Sequence, residues 1–209
     1  MSTTEVFSAT SAYSLTVFTT YIIIAYTGAK TLLPKNARWQ DIVTFVYLAF
    51  DALIHFTFEG SFLYLSTFGR TVNSSTGPAA ALWKEYAAAD ARWGVSDPTV
   101  VSLEILTVIG VGLLCCLALK QLVNDDPARH YWIIVLSTSE LYGGWMTFCP
   151  EWLTGSPNLN TSNALYLWCY LVFMNIIWVI IPSWLMWDSY QHITGSLRQT
   201  QAIARAKKD

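Results

Sequence analysis

Asp51, His55 and Glu59 stand four residues apart in "DALIHFTFEG", inside an otherwise apolar run. On a helix that spacing stacks the three side chains along one face. A carboxylate one turn from an imidazole sets its tautomer, and such a pair can hold a proton in a dry pocket and deliver it. A charge at mid-bilayer costs roughly 2.5–3.5 kcal/mol on insertion scales, so an apolar span keeps one for a reason. The triplet is therefore either a proton-handling site or a structural hydrogen-bond cluster between helices.

Further polar residues recur in the other apolar runs. Glu104 and Thr107 lie three apart in "SLEILTV", Glu140 and Tyr142 occupy "STSELYGGW", and Asn175 and Trp178 lie three apart in "FMNIIWVIIP". Acids, an imidazole, an amide and an indole converging on a lipid-embedded cavity suit an apolar substrate whose chemistry involves protons and a cation. The π face of Trp178 can hold such a cation, as aromatic rings do for ammonium groups. There is no GxGxxG, P-loop, GxSxG or HExxH motif, so nothing points to nucleotide chemistry. Cys115, Cys116, Cys149 and Cys169 show neither CxxC spacing nor a paired His and read as small buried hydrophobes. No metal and no cofactor is expected.

The elements that must position these residues are membrane helices. The chain of 209 residues is 54% hydrophobic and only 12% charged, about half the charge of a soluble domain. A net charge of −2 gives no basis for a nucleic-acid partner, whereas ten Trp suit interfacial belts or an aromatic pocket. Five apolar segments approach the ~20 residues of a span: 13–33, 41–68, 100–123, 131–148 and 165–187. None alternates with period two, which argues against a β-barrel. The expectation is an all-α membrane protein, residues 1–209 forming one domain of five transmembrane helices around an intramembrane ligand cavity. Pro34, Pro98 and Pro127 punctuate the segments, and Pro182 should kink the fifth or free a carbonyl.

No cleavable signal peptide is visible, since the first dozen residues carry no Lys or Arg. The basic tail, 188–209, falls on the same side as Lys30, Lys35, Arg38, Lys120 and Arg129, which the positive-inside rule makes cytoplasmic. Arg70, Lys84 and Arg92 in the loop after the second span weaken that count. The sequons at Asn73 and Asn160 fall on the opposite side, consistent with a lumenal face. Arg205, Lys207 and Lys208 resemble a dilysine-type retrieval signal of the endoplasmic reticulum.

Taken together, "IHFTFEG", "LWKEYAAADARW", "SLEILT", "ELYGG" and "YLVFMNIIWVIIP" resemble, in order and rough spacing, the emopamil-binding protein family of sterol Δ8–Δ7 isomerases. The resemblance covers roughly residues 40–192. It implies a five-helix fold in the endoplasmic reticulum membrane and a cofactor-independent double-bond shift: an acid protonates the alkene, a tertiary carbocation forms, and a base removes a neighbouring proton. It implies His55 and Glu59 as proton relay, Glu104 and Thr107 as a second acid with its hydroxyl neighbour, and Asn175 and Trp178 as amide and cation-stabilising indole. Trp83 and Tyr86 match loop aromatics that close over the ligand. Four departures stand out. "VIGVGLL" replaces a Trp-Gly-Pro-Leu stretch, Glu140 stands where Gln is usual and Gly144 where Asp is common, and Asp51 replaces a small or apolar residue. Asp51, Glu140 and Tyr142 therefore join Trp83 and Tyr86 as candidate substrate-binding residues. A paralogue acting on another terpenoid, by acid-catalysed rearrangement or cyclisation, is the alternative within enzymes. A non-catalytic sterol binder of the sigma-2 receptor type and a transporter are the alternatives outside them, the latter disfavoured by the lack of a repeat and of a polar path across the bilayer. The expected partners are a sterol or terpenoid substrate and membrane lipid, with a homodimer left open.

Overall fold

The computed structural model describes residues 9–208, and their secondary structure is helical throughout. Five long helices dominate: α1 (Ala9–Leu32), α2 (Trp39–Ser66), α5 (Pro98–Val123), α6 (Arg129–Leu153) and α7 (Tyr166–Ala206). Two short ones, α3 (Pro78–Ala87) and α4 (Arg92–Val95), lie in the loop between α2 and α5. Each expected span overlaps one long helix and starts within two residues of its first residue, apart from 13–33, whose helix begins four residues earlier. Spans 13–33 and 41–68 run one and two residues past their helix ends. Four helices have the length and hydropathy to cross a membrane: α1, α2, α5 and α7. Helix α6, which carries the expected span 131–148, is not among them. The polar run Ser137-Thr138-Ser139-Glu140 and the Pro150-Glu151 step dilute its hydropathy.

Local chemistry explains the boundaries. Asp97 caps α5, its carboxylate accepting from Thr99 N at 2.9 Å and Val100 N at 3.1 Å, with Pro98 in the first turn. Helix α3 likewise begins on Pro78, preceded by Gly77 at φ +100°, a conformation that favours glycine. Pro150 and Pro182 sit inside α6 and α7 without ending them. Gly195 does not end α7, which continues through the basic tail to Ala206.

The core lies where α2, α5, α6 and α7 meet, around Leu48, Cys115, Leu136 and Leu185, all at most 1% exposed. Helix α5 comes close to α2 at Gly112, where a Cβ would stand 3.0 Å from the Phe56 ring and 3.4 Å from His55 Cβ. Gly112→Leu should therefore cost about 1–3 kcal/mol by overpacking and displace His55. Thermal unfolding in detergent checks the first effect and loss of turnover the second.

One end of the bundle is closed by the two longest loops. Ala91 N donates to Asn158 O at 3.0 Å and Asn160 N to Ala89 O at 2.8 Å, forming an isolated bridge between Asp90 and Leu159. Buried Arg92 holds Asp90 through two hydrogen bonds, 2.9 and 2.6 Å, and donates to Thr147 O on α6 at 2.7 Å. Glu151 accepts from Asn158 N and Nδ2 at 3.0 and 2.8 Å. This satisfied network, beside a Trp83–Trp93 stack at 5.0 Å, fixes α3 over the core. At the other end His130 stacks on His192 with centroids 4.5 Å apart. Burial holds the His130 imidazole down to about 4, so the stack carries no like-charge repulsion from it at neutral pH.

Candidate active site

Three helices depart from α geometry, two of them at candidate site residues and the third just before Asn175. Single π turns occupy His55–Glu59 in α2, Leu106–Val111 in α5 and Tyr166–Phe173 at the start of α7. Such wider turns re-aim side chains and are frequent at functional positions. Here they carry His55 and Glu59, Thr107, and Tyr170 just before Asn175.

His55 is 1% exposed and is surrounded by carboxyls. Nδ1 lies 2.6 Å from Glu59 Oε2. Nε2 lies 2.9 Å from Asp51 Oδ1 and 3.2 Å from Glu140 Oε1. Neither Nε2 contact has hydrogen-bond geometry, so both are close ion-pair approaches rather than formed bonds. The groups within 3.2 Å of the ring nitrogens are carboxyl oxygens, with the Cys115 thiol within 4.8 Å. Each ring nitrogen therefore carries a proton or receives one from an acid. Glu104, 8% exposed, lines the cavity with Glu59, and its Oε2 is buried without a hydrogen-bond partner. Two neighbouring acids on one apolar wall favour sharing a proton over carrying two charges.

The remaining candidates surround a cavity of about 1440 Å³, wider than the roughly 300–1,000 Å³ of ordinary ligand sites. Its wall includes Glu59, Trp83, Tyr86, Glu104, Thr107, Glu140, Tyr142, Asn175 and Trp178. Tyr142, Trp145 and Phe173 on that wall are more than half exposed, so the cavity opens on the outer surface of the helices. Asp51 and His55 do not line it; they stand one layer behind. Asp51 is wholly buried and takes the S–H of Cys115 on Oδ2 at 3.2 Å. Its placement makes it a support for the imidazole rather than a group that meets a ligand.

Asn175 Nδ2 donates to Tyr170 O at 2.9 Å, Leu171 O at 3.1 Å and Tyr86 Oη at 3.3 Å. With its N–H₂ group engaged, the amide can offer a ligand only its carbonyl oxygen. Thr107 donates its hydroxyl hydrogen to Leu103 O at 2.7 Å. Trp178 lies near parallel to His55, at 6.4 Å and 26°, and to Phe50, at 6.2 Å and 17°, while lining the cavity. Tyr86 closes the site from the loop, edge-on to Trp83 and Trp93, and burial pushes its phenol well up. Tyr170 donates its phenol proton to Glu85, fastening α7 to α3. Sequence reasoning overlooked this last pair and the role of Cys115. Glu85 is adjacent to Tyr86 in "WKEY", the one hint available; nothing in the sequence marked Tyr170 or Cys115.

The described residues thus assemble a buried acid–imidazole cluster against an apolar, aromatic cavity, the equipment of an enzyme that moves protons on a lipid-soluble molecule. Residues 78–189 match the family model EXPERA (EXPanded EBP superfamily), and the chain belongs to that family. It is 30% identical over 150 residues to the 3-beta-hydroxysteroid-Delta(8),Delta(7)-isomerase of Mus musculus, covering 72% of this chain and 64% of the relative. It is 29% identical over 169 residues to the isomeliandiol synthase of Melia azedarach, covering 81% and 74%, and 27% identical over 168 residues to the protoglabretal synthase of Citrus sinensis, covering 80% and 74%. The match spans a little under two thirds of the mammalian isomerases. His55 and Glu59 precede the family-model region, whereas Glu104, Glu140, Asn175 and Trp178 fall inside it.

Proposed function

We propose that the chain is a membrane isomerase that shifts a double bond in a sterol or a sterol-like polycyclic terpenoid. The observation that carries this reading is the juxtaposition of the Glu104–Glu59–His55 chain with the cavity wall. The Glu59–Glu104 pair holds a proton at the edge of an apolar space and delivers it to an alkene carbon. The cation left on the neighbouring carbon is held by the Trp178 face and the Asn175 carbonyl, and a carboxylate removes a proton to complete the shift. No redox change occurs, so the residues of the chain suffice without a cofactor. The five long helices are read as five spans around the cavity, with α6 crossing on the strength of its neighbours. The basic tail is placed in the cytoplasm and the chain in the endoplasmic reticulum.

If a π face rather than bulk holds the cation, Trp178→Phe should lower kcat about tenfold less than Trp178→Ala. Steady-state turnover of the two variants checks this, and equal losses would assign Trp178 to packing. The function itself is tested by expressing the chain in a yeast strain lacking sterol Δ8–Δ7 isomerase. The expected result is conversion of the accumulated Δ8 sterol to Δ7 sterol by mass spectrometry. An unchanged Δ8 profile at good expression would count against a sterol substrate. It would favour the second reading, rearrangement or cyclisation of another terpenoid, which the plant synthase relatives and the additional acids Asp51 and Glu140 support.

A further inference from the structure

His55 divides the acids of the site into two groups. At Nδ1 stands Glu59, which lines the cavity together with Glu104; at Nε2 stand Asp51 and Glu140. Asp51 cannot meet a ligand, being wholly buried and behind the wall. Glu140 does two things at once: it approaches Nε2 at 3.2 Å and it lines the cavity from α6. Its Oε1 is buried without a hydrogen-bond partner, as are Asp51 Oδ1 and His55 Nε2. A buried carboxylate oxygen with no donor aimed at it is costly and calls for a reason. Carboxyls thus reach the cavity at two places, on opposite edges of one imidazole and from different helices.

We propose that Glu140 is a second proton-exchange residue of this site, so that the carboxyl taking a proton off the substrate cation is not the pair that put one on. The proposal rests on the isomerase reading above. The Glu59–Glu104 pair gives its proton to one alkene carbon; the π electrons form the new C–H bond and leave a cation on the other carbon. The Glu140 carboxylate then takes a proton from the carbon flanking the cation on its far side. That C–H pair becomes the new C=C bond, and Glu140 is left neutral. The charge of the cluster is unchanged over the cycle. After product leaves, Glu140 loses a proton to water and the pair regains one. Two separate exchange points suit a polycyclic alkene whose gained and lost hydrogens lie on different carbons or different faces, a geometry that a single carboxyl could serve only by reaching both.

The full-length chain in nanodiscs is given a Δ8 sterol dideuterated at the carbon that loses the proton, in ordinary water. The wild type is expected to place no deuterium on the newly saturated carbon. Glu140→Gln, which keeps the side chain's shape, is expected to turn over about 100-fold slower and to carry deuterium there, because the remaining pair must both give and take. Deuterium transfer by the wild type, or a Glu140→Gln rate within about threefold of it, overturns the proposal. If the wild type leaves the Δ8 sterol unchanged, it is the isomerase reading that fails, and a tertiary-amine sterol that mimics the cation decides the role of Glu140. Glu140→Gln should then weaken its binding about tenfold or more while altering that of the neutral sterol less than about twofold. Equal changes for the two ligands overturn the proposal.

Discussion

Glu104→Gln is expected to lower kcat by about 10³-fold or more while the protein still folds. Glu104 is buried and faces the cavity, whose wall it shares with Glu59. Glutamine keeps the volume of the side chain and can donate an N–H to Glu59, so the packing between α2 and α5 survives. What it cannot do is give up a proton at the moment the alkene needs one. The variant should therefore unfold within a few degrees of the wild type in detergent and still bind sterol, with the loss confined to kcat. Steady-state kinetics beside a thermal melt separates these quantities. A variant with substantial kcat would remove Glu104 from the proton path.

His55→Ala is expected to lose as much turnover and, unlike Glu104→Gln, to lose stability too. Among the described residues the imidazole is the cation-capable group paired with Asp51, Glu59 and Glu140, at 2.9, 2.6 and 3.2 Å. Removing one partner of a buried ion pair costs about 3–5 kcal/mol because the remaining charges stay buried unpaired. A cavity next to Gly112 and Trp178 adds to this. The prediction is a fall of about 10³-fold in kcat together with a clearly lower melting temperature. His55→Gln, which can donate to one carboxyl, should recover part of the stability and none of the turnover. Recovery of both together would make His55 a structural group.

Much of this fold was legible because lipid-facing helices are written in plain composition. The long apolar runs, the prolines at their ends and the i, i+4 stripe of Asp51, His55 and Glu59 each map onto observed helices. Less legible was what depends on a third dimension. The stripe put Asp51 on the same face as Glu59, and Asp51 was expected to touch substrate. The π turn beginning at His55 instead leaves Asp51 behind the ring, against Cys115, while Glu59 reaches the wall. No local sequence signal announces a π turn, and this one lies against Gly112 and Trp178, far along the chain. The Asp90–Leu159 bridge and the Tyr170–Glu85 clasp join segments about 70 and 85 residues apart, and pairings of that range leave no trace in a single chain. Helix α7 overran its expected end because the tail after Trp187 has no proline and closes on helix formers such as Gln201, Ala202, Ala204, Arg205 and Ala206.

The central claim is that this chain puts a solvent-derived proton on a sterol or sterol-like alkene and removes another, with its own residues alone. The most direct measurement is single-component: purified protein in nanodiscs, a Δ8 sterol, deuterated water, and mass spectrometry of the product. The account predicts a Δ7 sterol one deuteron heavier than the substrate, formed by the wild type and not by Glu104→Gln. No conversion, or a Δ7 product without deuterium, would contradict it.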